Sequence, residues 1–205
     1  IGLLLADVGG RLIETMLWDG AGVPRLPLHR ARLAAGCAAL GWEMPDIGAA
    51  LGAPNVSGPA RLRLTVDRAG DVQVAVGPLP AAKAVWRVGL ADARLASDDP
   101  WLGIKSTRRE AYDAARAVLP VGLDEVIFLN ERGEVCDGTI TTLFFDRGQG
   151  MRTPPLTCGL LPGVLRAELA CPEEVLYASD LPATRLWVGN ALRGLIPAVW
   201  AGGSA

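Results

Sequence analysis

The sequence predicts a mixed α/β (α+β) chain organised as two α/β domains, and three observations predict it. First, residues 61–67 alternate with period two, putting Leu62, Leu64 and Val66 on one side. Val72, Val74 and Val76 continue the pattern after an Arg68-Ala-Gly70 turn. Such alternation marks a β-hairpin with one buried face. Second, runs with helical spacing alternate with strand-like runs on both sides of this hairpin. Third, Gly77-Pro-Leu-Pro-Ala-Ala82 is the one clear linker. It divides the chain into a small N-terminal domain, residues 1–80, and a larger C-terminal one, residues 81–205.

Taken in order, residues 3–5 and 11–18 read as short strands around a Gly9-Gly10 turn, and Asp19-Gly-Ala-Gly22 as a second turn. Residues 27–40 read as a helix with Leu33, Cys37 and Leu40 on one face and Gly41 as its stop. His29, Arg32 and Gly36 are spaced i, i+3, i+7 and share another face. Residues 46–51 suggest a short helix. Beyond the linker, residues 85–90 form a strand and 97–100 a loop. Ser106 or Thr107 then caps a helix running to about Leu119, with Tyr112, Ala115 and Val118 facing inward. Residues 124–129 form a strand and 130–133 a turn. Residues 135–137 and 139–145 are strand segments broken by a bulge at Gly138. Pro162 suits the first turn of a helix that continues through residues 164–170. Residues 185–190 form the last strand.

Composition narrows the function. Half of the 205 residues are apolar, enough for a sizeable core. The net charge of −2 leaves no nucleic-acid footprint. No apolar run reaches membrane-spanning length, and the opening residues show no secretory pattern. Cys37, Cys136, Cys158 and Cys171 lie far apart without metal-ligand spacing, so they read as reduced thiols of a cytoplasmic protein. His29 is the single histidine, which excludes a multi-histidine metal site. The expected partner is therefore a small molecule, with no nucleic acid, membrane or metal.

The candidate chemistry centres on Lys105. Of twenty basic residues only Lys83 and Lys105 are lysines, so lysine is not needed here for solubility. Lys83 lies in a Pro/Ala stretch and reads as solvated. Lys105 follows Trp101, Leu102 and Ile104, and Gly103 allows close backbone approach. Against apolar walls an ammonium loses hydration and its pKa falls. Such an amine can act as a Schiff-base nucleophile or general base, whereas arginine stays protonated. The same stretch also fits a lysine that snorkels at a helix start. Three further features would suit an aromatic aldehyde phosphate. The helix start at Gly163-Val164-Leu165 offers amides to a phosphate. Arg32 offers a charge-assisted contact, and Asp137 could keep a ring nitrogen protonated. Each has an ordinary reading as well: a cap glycine, a solvated helix arginine, a turn aspartate. Spacing alone does not bring them together.

A resemblance does. Leu12-Ile-Glu-Thr-Met16, Leu28-His-Arg-Ala-Arg-Leu33, Lys105-Ser-Thr-Arg-Arg109, Asp124-Glu125 with Leu129-Asn130-Glu131, Gly133 to Thr139, Pro154 to Gly163 with Arg166, and Gly189 to Gly194 occur in the order found in the class IV aminotransferases. These are the fold-type-IV pyridoxal 5'-phosphate (PLP) enzymes, and the chain most resembles their aminodeoxychorismate lyase branch. The resemblance implies a D-amino-acid/branched-chain aminotransferase-like fold, a homodimer, and the cofactor in the interdomain cleft. It implies that Lys105 carries PLP covalently and that Arg32 holds its phosphate. The Val164 and Leu165 amides and the Asn190-Ala191 turn would complete the phosphate site. Asp137 would face the ring nitrogen where relatives usually have glutamate. Leu165 stands where threonine is frequent, and Thr142 replaces an asparagine. Thr15, Arg109 and Arg193 are candidate substrate contacts, with a surface salt bridge as the other reading of both arginines. The implied reaction converts 4-amino-4-deoxychorismate to 4-aminobenzoate and pyruvate in folate biosynthesis. The alternatives are a branched-chain or D-amino acid aminotransferase and a catalytically degenerate PLP-binding protein.

Overall fold

The computed structural model describes residues 10–52 and 54–202. The strand expected at residues 3–5 and Gly9 of the first turn lie outside them. The chain divides into two compact units, and the division is not made at a single point. Unit one comprises Ile1–Ala81 and Ile104–Arg108; unit two comprises Ala82–Gly103 and Arg109–Ala205.

Unit one is a three-stranded antiparallel sheet with a helix laid on one face. The strands are β1 (Leu12–Trp18), β2 (Ala60–Val66) and β3 (Val72–Gly77), in that spatial order. Pairing opposes Leu12, Glu14 and Met16 to Val66, Leu64 and Leu62, so all six face the same side. Helix α1 (Leu26–Leu40) covers that side with Leu33, Cys37 and Leu40. It ends at Gly41, whose φ of 66° is left-handed; Gly41 N–H donates to Ala38 and Trp42 N–H to Cys37. These two bonds satisfy carbonyls that the helix end leaves open. Gly36 is buried, and a Cβ there would come within 3.2 Å of Leu12. A short helix α2 (Ile47–Leu51) starts at Asp46, whose carboxylate accepts from Gly48 N–H. Alternation holds fully in β2, but Val76 of β3 is 45% exposed. The outermost strand has a neighbour on one side alone, so the pattern marks its face without guaranteeing its burial.

Unit two is built on a six-stranded mixed sheet. Its strands are β4 (Trp86–Leu95), β5 (Glu125–Asn130), β6 (Val135–Gly138), β7 (Thr142–Asp146), β8 (Arg185–Asn190) and β9 (Gly194–Trp200). The spatial order is β6-β5-β4-β9-β8-β7, with β4 parallel to both β5 and β9. The two edge strands, β6 and β7, are consecutive in sequence and joined by residues 139–141. A link of three residues spans roughly 10 Å, so the sheet must curl until its edges approach. Gly138 N–H donates to Thr141 across that link. The curl encloses Val88, Ile127, Leu129, Val135, Leu143, Phe145, Val188 and Ile196. On the other side Phe128 packs with Leu95, Leu102, Cys136, Cys158 and Leu160. Strand β5 is buried along its whole length, which explains why its sequence does not alternate.

Helices α3 (Glu110–Ala117) and α4 (Val164–Leu169) are short. The structure corrects two expectations about how they start. Neither Ser106 nor Thr107 caps α3: its N-cap is Arg109, and the two earlier residues pair with the start of β1. Pro162 lies before α4, whose N-cap is Gly163. On α3, Tyr112 and Ala115 pack inward as expected, but Val118 is 74% exposed because the helix stops one residue before it.

Candidate active site

In unit one the segment carrying Lys105 runs antiparallel to β1, on the side away from β2. Ser106 bridges Leu12, Ile13 N–H donates to the Lys105 carbonyl at 2.8 Å, and Thr107 N–H donates to Arg11 at 2.8 Å. The register sets Lys105 opposite Ile13, so the strand pleat puts it on the side of Ile13 and Thr15. Ile104 and Ser106 alternate to the α1 side, consistent with Ile104 lying 3.9 Å from a Cβ built on Gly36. Lys105 is partly buried and held by backbone pairing beside an isolated bridge, whereas its snorkelling alternative would have set it at a helix start.

On the α1 side of β1, Glu14 is a fully buried carboxylate in an otherwise apolar face. His29 Nδ1 lies 2.5 Å from its Oε2; Arg32 Nε donates to Oε1 at 2.8 Å and Arg32 Nη2 to Oε2 at 2.5 Å. Burial pushes the Glu14 pKa up, but the bonds and charges of Arg32 and His29 outweigh it and hold it below the usual glutamate range. Arg32 is thus neither solvated nor alone: its side chain is 11% exposed and locked side-on to Glu14. Sequence reading placed His29 and Arg32 on one helix face but missed their shared partner. The available signal was Glu14 itself, an acidic residue at an inward position of an alternating strand.

In unit two Asp137 lies on β6 and is 5% exposed. Tyr112 Oη donates to its Oδ1 at 3.3 Å and Leu161 N–H to its Oδ2 at 3.2 Å. Burial, then the Asp137 charge, push the Tyr112 pKa up, so the phenol stays a donor. Tyr112 is itself set edge-on to Phe128, ring centres 5.0 Å apart. Residues 161–163 lead from Asp137 to the start of α4. There a Cβ on Gly163 would lie 2.6 Å from Thr142 Oγ1, and one on Gly189 would lie 2.6 Å from Leu165. Two glycines therefore let the α4 start settle onto the beginning of β7 and the end of β8. Val164 and Leu165 are buried, and as first-turn residues their N–H groups have no acceptor within the helix. Asn190 closes the β8–β9 turn: its Oδ1 accepts from Leu192 and Arg193 N–H, and its Nδ2 donates to Ile140. Ala191, in that turn, is buried. Asp137, Val164, Leu165, Asn190 and Ala191, scattered over 55 positions, are thus gathered at one end of the curled sheet.

Glu125 was quoted in sequence without a role. It is fully buried at the start of β5 and holds the edge-to-edge link: Thr139 Oγ1, Ile140 N–H and Thr141 Oγ1 all donate to it. Gly138 must be glycine, since a Cβ would meet Thr141 Oγ1 at 2.6 Å and Glu125 at 2.8 Å. Arg109 ties α3 to the same link, donating to Thr139 O at 2.9 Å and to Asp113 at 2.7 Å. The Arg193 guanidinium sits 5.1 Å over the Trp86 ring. Lys83, expected to be solvated, pairs with Asp124 at 2.7 Å. Among the described residues no cluster of three or more His, Cys, Asp or Glu is placed to hold a metal, and no helix is long and apolar enough to cross a membrane.

Residues 11–199 match the family model for class IV aminotransferases. The chain belongs to the class IV aminotransferase family. This is a family of PLP-dependent enzymes. The chain is 42% identical, with a TM-score of 0.86, to a provisionally named amino-acid aminotransferase from Mesorhizobium loti, over 94% of this chain and 100% of that one. It is 29% identical to a Schizosaccharomyces pombe protein with a provisional aminodeoxychorismate lyase name, over 77% of this chain and 72% of that protein. A hypothetical aminotransferase from Mycobacterium tuberculosis, in its PLP-bound form, has a TM-score of 0.79 at 22% identity over 97% of this chain and 83% of that one. That last likeness is one of fold.

Proposed function

We propose that this class IV aminotransferase chain is a PLP-dependent lyase converting 4-amino-4-deoxychorismate to 4-aminobenzoate and pyruvate, a step of folate biosynthesis. The observation that carries the cofactor part is Asp137: a carboxylate 5% exposed, held by a phenol and an amide, at the sheet end where first-turn α4 amides with no acceptor in the helix gather. That donor set fits a phosphorylated pyridine. The amides and the Asn190-Ala191 turn suit the phosphate, and Asp137 suits a protonated ring nitrogen. Lys105 is assigned as the covalent attachment point and Arg32 as a further phosphate ligand.

When bound, PLP supplies an aldehyde that condenses with amines and a protonated ring that accepts electrons. Lys105 would hold the cofactor, and its Nζ, when free, would serve as the general base that takes the substrate's α-proton. Asp137 would keep the ring nitrogen protonated. Thr15 and Arg193 are assigned to substrate contact; Arg109, already engaged with Thr139 and Asp113, is the weaker assignment. A homodimer in the cytoplasm belongs to the same proposal.

A second reading, an amino-acid aminotransferase, is favoured by the 42% identity to the Mesorhizobium loti protein. One experiment separates them. Purified protein is supplied with aminodeoxychorismate generated in situ, and separately with a panel of amino acids and 2-oxoglutarate. Pyruvate and 4-aminobenzoate from the first mixture support the lyase; glutamate from the second, with none of those products, replaces it with the aminotransferase.

A further inference from the structure

Glu14 is an anomaly of unit one. It occupies an inward position between Leu12 and Met16, opposite Leu64, on the face that α1 seals. An apolar residue of similar size would fill that place without the cost of burying a charge. The fold instead surrounds Glu14 with three donated contacts from α1, and the chain's one histidine supplies one of them. Fixing α1 to β1 would need a single partner. The arrangement does something more specific to Arg32. The two parallel bonds from Nε and Nη2 fix the plane of the guanidinium and occupy one edge of it. Nη1, on the other edge, has no hydrogen bond among the described residues, and the side chain retains 11% exposure. His29 Nδ1 holds Glu14 Oε2, the oxygen that also receives Nη2, and so prevents the carboxylate from rotating away.

We propose that Glu14 and His29 are positioning residues that orient Arg32 as a receptor for a phosphate monoester. This deepens, and rests on, the proposed role of Arg32 in holding the PLP phosphate. A long arginine normally samples many rotamers and gives up that freedom when it binds an anion. Here the freedom is already lost to Glu14, so the free edge meets a phosphate without further ordering. Glu14 and His29 act through Arg32 and touch no cofactor atom themselves.

The test compares PLP with pyridoxal, which has the same ring and aldehyde but no phosphate. Both are titrated spectroscopically into the 205-residue chain freed of cofactor, for the parent, Arg32→Ala, Arg32→Lys, Glu14→Gln and His29→Gln. Thermal unfolding without ligand is recorded alongside. The parent is expected to prefer PLP strongly. Glu14→Gln and His29→Gln are expected to lower that preference by about tenfold or more, the range of a charge-assisted bond, with pyridoxal affinity within about twofold of the parent. Arg32→Lys keeps the charge but cannot form the side-on fork, so it should resemble Arg32→Ala. A purely structural role would weaken both ligands together. If Arg32→Ala loses the preference while Glu14→Gln, His29→Gln and Arg32→Lys keep it, the positioning role is wrong and the phosphate role of Arg32 stands. If the parent shows no preference, or Arg32→Ala retains it, the phosphate reading fails and the positioning role with it. Should Glu14→Gln fail to fold, His29→Gln and Arg32→Lys decide the matter on their own.

Discussion

Gly163→Ala tests how the start of α4 is held. The backbone of Gly163, φ −65° and ψ 144°, suits any residue, so conformational strain is not the obstacle. The obstacle is Thr142, whose Oγ1 lies 2.6 Å from where the new Cβ would sit. Real Cβ contacts are not that short, so Thr142 or the first turn of α4 must move. Overpacking of this kind costs about 1–3 kcal/mol. Removing glycine flexibility from the unfolded chain returns about 0.4–1 kcal/mol. The net loss is at most about 2.6 kcal/mol and centres on about 1.3 kcal/mol, or about 3–5 °C in Tm for a chain of this size. Thr142→Ala removes the clashing oxygen, leaving Thr142 Cβ at 3.9 Å, an ordinary contact. Chemical denaturation of the parent, both single variants and the double variant then gives the coupling directly. Gly163→Ala should cost about 1–2 kcal/mol less once Thr142 is truncated. PLP affinity should follow the same pattern, falling in Gly163→Ala and recovering in the double variant. Equal losses in both backgrounds would show that contact with Thr142 is not what requires glycine at this position.

Further outcomes follow from individual residues. Borohydride reduction of the PLP-loaded protein should fix the cofactor to a peptide containing Lys105, and Lys105→Ala should slow turnover by about 10²–10⁴; peptide mapping that finds the label on Lys83 would refute the mechanism. Lys83→Ala should cost no more than about 1 kcal/mol in denaturation, since its ion pair with Asp124 is half exposed. Asp137→Asn should retain cofactor but slow turnover and alter the pH dependence of its absorption, and an unchanged rate removes Asp137 from the chemistry. Glu125→Ala strands two hydroxyls, an amide and the nearby Arg116, and should cost about 3–5 kcal/mol in urea; a loss under about 1 kcal/mol would mean the β6–β7 link is held by other contacts. The Glu14 pKa is depressed in the folded chain, so its stabilisation is present above the ordinary glutamate range and fades as pH falls through that range and below. Denaturation at stepped pH should show Glu14→Gln with a shallower acid dependence than the parent, and identical slopes would contradict that assignment.

The hairpin, α1 and its glycine stop, and strands β4, β5 and β8 were legible because one period or one terminator carries each signal; β9, beyond the strand expected to be last, and the link at residues 139–141 that separates β6 from β7 were not. The start of α3 was not. Ser106 and Thr107 are good caps by type, but a neighbouring strand edge offered their backbone groups partners, and propensity gave way to long-range pairing. The candidate residues could be named individually from sequence, and the resemblance supplied their roles. What no spacing reveals is the partner across the fold: Glu14 for Arg32, Tyr112 for Asp137, Glu125 for the edge link. The residues of these pairs are 15 to 25 positions apart and meet because the strands carrying them curl and the helices lie across them.

The short segment 104–108 has a consequence for synthesis on the ribosome. The outer edge of β1 lacks its bridging segment until that segment has emerged, more than twenty residues after β3 and the linker. Until then the backbone of Arg11 and Ile13 lacks the acceptor and donor that Lys105 and Thr107 later provide, on a strand whose Leu12 and Ile13 side chains are apolar. An open edge of that kind invites pairing with another nascent chain. A fragment ending at residue 81 should therefore associate with itself, and a chain extended through residue 108 should do so less. The segment that presents Lys105 also covers the open edge of the strand that supports it.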